Sequence, residues 1–227
     1  MEFHPPPSEL PLVSVIVACM GQLGYTKGLA ASLERNAGCR YELIVVDNGC
    51  PEGTAKWAAA AGHQVVRFNT NQGVPVAYNA GVQRAKGGLL AFFNNDMTVD
   101  AGGLRRLAEA SGRRGIAAQT ANAWSPLGDY LGCTADARWS DAAEGYALVC
   151  QREVWEKVGV WNDEFFPSYC DDTEWVLRAR LKGFDYTLVP ACVKHFGQAT
   201  SQSMDLKPAV RRHQEIIRQR YVPHGLG

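Results

Sequence analysis

Leu89-Leu90-Ala91-Phe92-Phe93-Asn94-Asn95-Asp96-Met97 is the stretch on which the reading of the whole chain turns. Five apolar residues in a row, closed by three polar ones, suit a strand buried on both faces that reaches water at its carboxyl end. An acid at such an end ordinarily marks only the arrival at solvent. Asp96, however, follows two carboxamides, so one short loop offers several oxygen ligands. Divalent cations that accompany phosphates want that chemistry: few carboxylates, with the remaining sites filled by substrate oxygens and water. A plain solvated turn is the competing reading, and the flanking segments bear on the choice.

Upstream, Leu12–Ala18 is a β-branched apolar run that ends at Cys19-Met20-Gly21. A helix carrying Tyr25, Leu29 and Leu33 on one face follows, with Gly38 beyond its end. Tyr41–Val46 reads as a second strand stopping at Asp47-Asn48-Gly49, and Thr54–Ala61 as a short helix. His63–Phe68 is a third strand ending at Asn69-Thr70-Asn71, and a helix runs from about Val74 to Lys86. Downstream of Asp96, Asp100–Ser111 is helical and Gly115–Thr120 a fifth strand. Strand then helix, four times over, predicts a parallel sheet with right-handed crossovers. The loops leaving the carboxyl ends of such strands share one edge, where open α/β sheets bind ligands. Gly21, Asp47, Asn71 and Asp96 are therefore expected in one crevice.

The second half is less regular. Trp124–Asp141 has no clear period and reads as loop. Gly145–Cys150 reads as a strand, Arg152–Val158 as a short helix and Trp161–Tyr169 as an aromatic, acidic connection. Asp171–Lys182 is a helix in which Asp171 and Glu174 have capping-box spacing, and Gly183 ends it. Tyr186–Val189 is a strand broken by Pro190, His195 lies beyond, and Leu206–Tyr221 is a final helix. Residues 1–11 read as a proline-stiffened tail and 12–227 as a single domain.

The totals set bounds. At 227 residues the chain is long enough to bury roughly 70% of its surface. Lys plus Arg equals Asp plus Glu at 23 each, so no global field favours nucleic acid, membrane or an acidic substrate. Seven scattered cysteines without a Cys-x-x-Cys pair argue against a zinc knuckle or disulfide framework and for free thiols in a reducing compartment. The start lacks the basic and apolar regions of a signal peptide. No apolar stretch approaches the ~20 residues that span a bilayer. The expectation is a soluble cytoplasmic protein without stable membrane insertion.

Three nucleotide architectures compete for the crevice. A P-loop needs Gly-x-x-x-x-Gly-Lys-Ser/Thr, which is absent. A dinucleotide site of an NAD-type oxidoreductase is a fairer rival, since Asp47 at the end of the second strand suits a ribose. Its first turn, Gly21-Gln22-Leu23-Gly24, lacks the Gly-x-Gly-x-x-Gly that admits a pyrophosphate, and it leaves Asp96 and everything after residue 140 without a task. The third architecture is carried by Val46-Asp47-Asn48-Gly49, Asn71-Gln72-Gly73, Tyr78-Asn79-Ala80-Gly81 and Asn94-Asn95-Asp96. These are followed by Gly145-Tyr146-Ala147, Val158-Gly159, Phe165-Phe166, Tyr169-Cys170-Asp171-Asp172-Thr173-Glu174, Arg178, Gly183-Phe184 and His195. In order and spacing the sequence resembles glycosyltransferase family 2 of the GT-A fold, over roughly residues 12–197.

The resemblance implies a Rossmann-like, mostly parallel central sheet flanked by helices, of GT-A type. A nucleotide-sugar-binding half over about 12–121 is followed by an acceptor-side, catalytic half over about 122–205, then a terminal helix and tail, 206–227. It implies an inverting enzyme moving one sugar from a metal-bound nucleotide-diphosphate sugar, UDP- or dTDP-linked, to a hydroxyl acceptor. Asp96, with His195 beside it, would bind Mn²⁺ or Mg²⁺, and Asp47 would hydrogen-bond the base. Ala18, Asn71, Gly73, Asn79, Asn94 and Asn95 would line the donor pocket. Asp172 would be the catalytic base, with Gly145, Tyr146, Asp171 and Trp175 on the acceptor or sugar side. Acceptors left open are a glycan or lipid-linked glycan, a peptide, a small metabolite and modified DNA; a non-catalytic nucleotide-sugar-binding module is the remaining alternative.

The sequence also departs from the family pattern. Asn94 replaces the first acid of Asp-x-Asp, Cys19-Met20 stands where Tyr-Asn is frequent, Trp161-Asn162 replaces Phe-Asp and Cys50 replaces a serine. Simpler roles compete too: Asp171 and Asp172 as helix caps, Gly73 and Gly81 as turn and packing glycines, and Trp155, Trp161, Phe165, Phe166 and Trp175 as core. On the last helix, ~100° per residue puts Leu206, Val210, Ile217 and Tyr221 in one apolar stripe. Lys207, Arg211 and Arg218 align beside it as a solvated face; the sharper alternative is that Arg211 and Arg218 meet an anion.

Overall fold

The computed structural model describes residues 9–119, 145–197 and 206–224. The loop expected over Trp124–Asp141 and the first eight residues of the expected tail lie outside the described residues. Strand β1 (Val13–Cys19) sits inside a seven-stranded sheet, flanked by β2 (Tyr41–Asn48) and β4 (Leu89–Asn94), both parallel to it. β3 (Gln64–Phe68) adds parallel to β2. On the other side come β7 (Ala147–Gln151), β6 (Gly115–Gln119) and β8 (Asp185–Val189), giving the order β3-β2-β1-β4-β7-β6-β8.

The purely parallel pattern is interrupted once. β7 inserts between β4 and β6 and runs antiparallel to both, while β6 and β8 are parallel to each other. The insertion decides where the second half of the chain meets the first. An antiparallel strand starts where its parallel neighbours end, so the beginning of β7 lies at the carboxyl end of β4, and Asn94 N–H donates to Tyr146 O at 3.0 Å.

Helices α1 (Leu23–Asn36), α2 (Thr54–Ala60), α3 (Val74–Val82), α4 (Gly103–Arg114), α5 (Arg152–Val158), α6 (Asp171–Leu181) and α7 (Lys207–Tyr221) complete the described helices, with 3₁₀ turns at Asp163–Phe165 and Val222–His224. Side chains alternate across the strands, as the two-residue period demands. Val13, Val15, Val17, Leu89, Ala91 and Phe93 pack with Leu29, Leu33, Leu104 and Leu107 on one face. Ile16, Ile44, Val46, Leu90 and Phe92 pack with Tyr78, Trp161 and Trp175 on the other. There the rings of Phe92 and Trp161 meet edge to face at 5.0 Å and those of Trp161 and Trp175 stack at 5.4 Å. Each such pair adds about 0.5–1.5 kcal/mol beyond its area burial.

Two helices differ from their sequence pattern. α3 stops at Val82 instead of Lys86, because Lys86 N–H is taken by Glu42 Oε1 at 2.6 Å and Gly87 N–H by Ser14 Oγ at 2.8 Å. α4 begins at Gly103, because β5 (Met97–Val99) first pairs antiparallel with β9 (Val193–His195) and Asp100 N–H bonds Cys192 O. This two-stranded ribbon had no signal in the sequence, and it carries His195 to Asp96. Among the described residues six cysteines are free, and no helix is long and apolar enough to cross a membrane.

Candidate active site

The register aligns the strand ends into one row: Ala18 faces Val46 and Asn94, and Cys19 faces Asp47. Ala18 is partly open to this edge. Asp47 is 1% exposed; its Oδ1 accepts Cys50 N–H at 2.8 Å and its Oδ2 accepts Ala55 N–H at 2.9 Å. The residue expected to meet a base thus spends both oxygens shaping the β2–α2 loop, since a buried carboxylate needs donors close at hand. Cys50 then accepts Gly21 N–H at 3.1 Å, joining this loop to the first one. Burial pushes the Cys19 thiol up to about 12 and raises that of Cys50, so neither supplies a thiolate nucleophile at neutral pH.

Asn71 Oδ1 accepts Asn48 Nδ2–H and Gly73 N–H, at 3.0 and 2.9 Å. Gly73 has φ 84°, and a Cβ there would stand 2.9 Å from Phe166 Cδ2. Its neighbour Val74 donates to Pro167 O at 2.7 Å, so the 71–74 turn is clasped by the second half of the chain. Asn79 corrects an expectation. Its Nδ2 donates to Trp161 O at 2.8 Å and its Oδ1 accepts Trp161 N–H at 2.9 Å, so the amide is committed to holding the 161 segment instead of a ligand.

At the end of β4 the three polar residues part company. Asn95 is buried and donates to Gly21 O and Thr26 Oγ1, at 3.3 and 3.2 Å. Asn94 is half-buried, 3.5 Å from both Tyr78 Oη and His195 Nε2. Asp96 Oδ1 lies 3.1 Å from His195 Nε2, and the imidazole stacks on Tyr146 with centroids 4.3 Å apart and planes 14° apart. One carboxylate and one imidazole fit a divalent cation that takes its other ligands from phosphates and water. Among the described residues no group of three or more His, Cys, Asp or Glu is arranged to hold a metal ion by itself.

Asp172 is reached from the same strand end. Gly145 N–H donates to its Oδ2 at 2.8 Å, and Thr173 N–H to its Oδ1 at 2.7 Å. Asp171, 6% exposed, is pushed up to about 8 by burial and then by the neighbouring Asp172 charge. Burial likewise raises the Asp172 carboxyl, against the N–H groups of Thr173 and Gly145 that favour its anion. The Tyr78 phenol is held well above its ordinary range by burial, followed by the charges of Asp171, Asp172, Cys19 and Asp96. A chain of contacts thus runs from Asp96 through His195 and Tyr146 to Gly145 and Asp172.

Other expectations fall away. The capping box does not form: α6 starts at Asp171 after a left-handed Cys170, and Glu174 turns away to Arg178 Nη2 at 3.0 Å and Tyr221 Oη at 2.7 Å. Trp175 is fully buried, its Nε1 donating to Gly159 O, so it belongs to the core and not to the sugar side. Arg211 and Arg218 are exposed, and Arg218 lies 3.8 Å from Glu215. On α7 the buried residues are His213, Ile217 and Tyr221, with Leu206 and Val210 only partly covered. Tyr78 and His213, both buried, are not among the expected site residues. His213 was legible as the position four before Ile217 and eight before Tyr221, on the buried stripe.

A mixed sheet whose parallel strand ends, one carboxylate–imidazole pair and an acidic helix start all meet at one edge defines a GT-A-type, Rossmann-like α/β protein. The family model for Glycosyl transferase family 2 matches residues 14–123. The chain is also similar to the mannosyltransferase PcManGT from Pyrobaculum calidifontis, solved with GDP-Man and Mn²⁺, with TM-score 0.70, 18% identity, and 96% of this chain and 67% of that one covered. Against TarS 1–349 of S. aureus the TM-score is 0.62 at 15% identity, covering 78% of this chain and 57% of that one. An uncharacterized protein of Mycobacterium tuberculosis is 28% identical over 214 residues, 85% of this chain and 78% of the relative. An uncharacterized protein of Sinorhizobium fredii is 24% identical over 96% of this chain, which spans 28% of that relative's length. The family model thus matches just under half of the chain, and the solved structures share its fold.

Proposed function

We propose that this protein moves a single sugar from a nucleoside-diphosphate sugar to a hydroxyl acceptor, with inversion at the anomeric carbon and Asp172 as general base. The observation that carries this reading is the unbroken path of contacts from Asp96 through His195, Tyr146 and Gly145 to Asp172. That path supports a diphosphate-bound cation at Asp96 and His195 with the base at Asp172 on its other end. Asp96 and His195 would hold Mn²⁺ or Mg²⁺; when bound, the cation offsets the charge that develops on the leaving diphosphate. Ala18, Asn71, Gly73, Asn94 and Asn95 would form the donor side, with Asp47 shaping the loop that faces the base.

Asp172 takes the proton of the acceptor hydroxyl. A carboxylate raised by burial is a stronger base than one in water, and general-base catalysis is worth typically ~10²–10⁴-fold. Asp171, held mostly protonated at neutral pH, spares its neighbour a second full charge. Asp172 acts as the one base with no covalent protein intermediate, so the acceptor oxygen displaces the diphosphate directly. The Mn²⁺ and GDP-Man of the mannosyltransferase support a metal-assisted sugar nucleotide and add a guanine donor to the UDP- and dTDP-sugars.

Thermal-shift screening of UDP-, dTDP- and GDP-sugars with and without Mn²⁺, followed by measurement of nucleoside diphosphate release, tests the proposal. Metal-dependent stabilisation by one donor class and its turnover are expected, since a ligand bound to the native state raises Tm by mass action. Absence of both stabilisation and release with every donor refutes it. Retained anomeric configuration in the product refutes the inverting step alone.

A further inference from the structure

The terminal helix α7 lies beyond the stretch that the family model matches. It docks through Ile217 and Tyr221 against Phe165 and Leu177. The polar residue on that face, His213, is fully buried. Its Nδ1 stands 3.0 Å from Tyr169 O and its Nε2 3.3 Å from Arg212 Nη2. A carbonyl only accepts and a guanidinium only donates, so the ring is neutral with its proton on Nδ1. Arg212 Nη2 is itself anchored on Glu164 O at 2.6 Å, and the imidazole lies 4.9 Å from the Phe165 ring.

The carbonyl that His213 holds opens an unusual turn. Tyr169 and Cys170 both adopt left-handed backbone, φ 73° and 61°, which L residues seldom do and never without support from their surroundings. The next two residues are Asp171 and Asp172. We propose that His213 is a positioning residue: by fastening Tyr169 O it holds the left-handed turn that delivers Asp172 to Gly145. The inference rests on the reading of Asp172 as the base, and it makes a helix outside the nucleotide half part of the catalytic apparatus.

The test compares His213→Leu with His213→Asn, whose amide nitrogen reaches the place of Nδ1. Losing a positioned group by about an ångström costs on the order of a hundredfold. The leucine variant should therefore lose kcat by about that factor with KM for the donor unchanged, and the asparagine variant should recover most of it. Tyr221→Phe is the control: it loosens α7 by removing the Tyr221 Oη bond to Glu174 Oε1, which keeps Arg178 Nε, without touching Tyr169, and should lower Tm but leave kcat alone. If His213→Leu does not fold, His213→Gln, with its amide carried out to the Nε2 position, takes its place with the same expectation. Wild-type-like kcat in the variant, or an equal loss in Tyr221→Phe, overturns the proposal. Hydrogen exchange at the Gly145 and Thr173 amides, both bonded to Asp172, reads the displacement without any donor. Faster exchange in the His213 variant is expected. Unchanged exchange overturns the brace, whereas absent turnover in the wild type overturns the transferase reading and leaves the brace standing.

Discussion

Gly145→Ala addresses the crevice with a single methyl group. The backbone at Gly145 lies outside the left-handed region, so alanine meets no conformational obstacle there. Its Cβ would, however, stand 2.3 Å from Asp172 Cβ and 2.5 Å from Asp172 Oδ2. The first separation must open to the 3.4 Å at which ordinary contact begins, a retreat of about 1.1 Å. Such a retreat also breaks the Gly145 N–H bond that favours the Asp172 anion. A misplacement of about 1 Å at a reacting group costs ~10²-fold, equivalent to roughly 2.7 kcal/mol of barrier. The proposed metal ligands, Asp96 and His195, meet Tyr146 through the His195 ring rather than Gly145 and keep their contacts. The expected outcome in a nucleoside diphosphate release assay is therefore kcat lowered about a hundredfold with the donor Kd, read by thermal shift, unchanged. Wild-type turnover, or a donor affinity that falls in proportion to kcat, would refute the placement of Asp172 at the reacting centre.

Asp172→Asn keeps the shape and the Thr173 contact but cannot take a proton, so it should bind donor normally and lose turnover by ~10²–10⁴-fold in the same assay. Asp96→Asn and His195→Ala each remove one of two proposed ligands; the Mn²⁺ concentration for half-maximal activity should rise at least about tenfold in a metal titration, and an unchanged titration would exclude the pair. Asp171→Asn tests the burial of that carboxyl. Because its native value of about 8 lies above the unfolded one, its contribution to stability is complete at low pH and is lost as pH rises toward 8. The variant should thus gain more Tm relative to wild type at pH 8–9 than at pH 5 by calorimetry; an equal change at both would contradict the shift.

How far each of these residues was legible depended on whether its task is local. Asp96 and Asp47 stand at strand ends, which hydrophobic runs announce directly, and the crevice at the carboxyl edge follows from the alternation of strands and helices. The tasks of Asp47 and Asn79 were not legible, because a carboxylate or amide at a loop bonds whichever backbone groups tertiary packing brings near, here Cys50, Ala55 and Trp161. Trp175 reads equally as core or as sugar platform in a run of aromatics; its full burial and its stacking on Trp161 decided it. The same holds for Glu174, whose spacing after Asp171 suits a cap but whose carboxylate is claimed by Arg178 and Tyr221.

Taken alone, the sequence determined the α/β class, the strands of the first half and the edge at which their loops gather, since burial periodicity and chain direction are properties of contiguous residues. Tertiary structure alone decided that β7 enters antiparallel and that β5 pairs with β9. Those two pairings set Gly145 against Asp172 and His195 against Asp96 across 27 and 99 positions of chain. Strand pairing is chosen by the packing of whole elements, and no local pattern of residues records it.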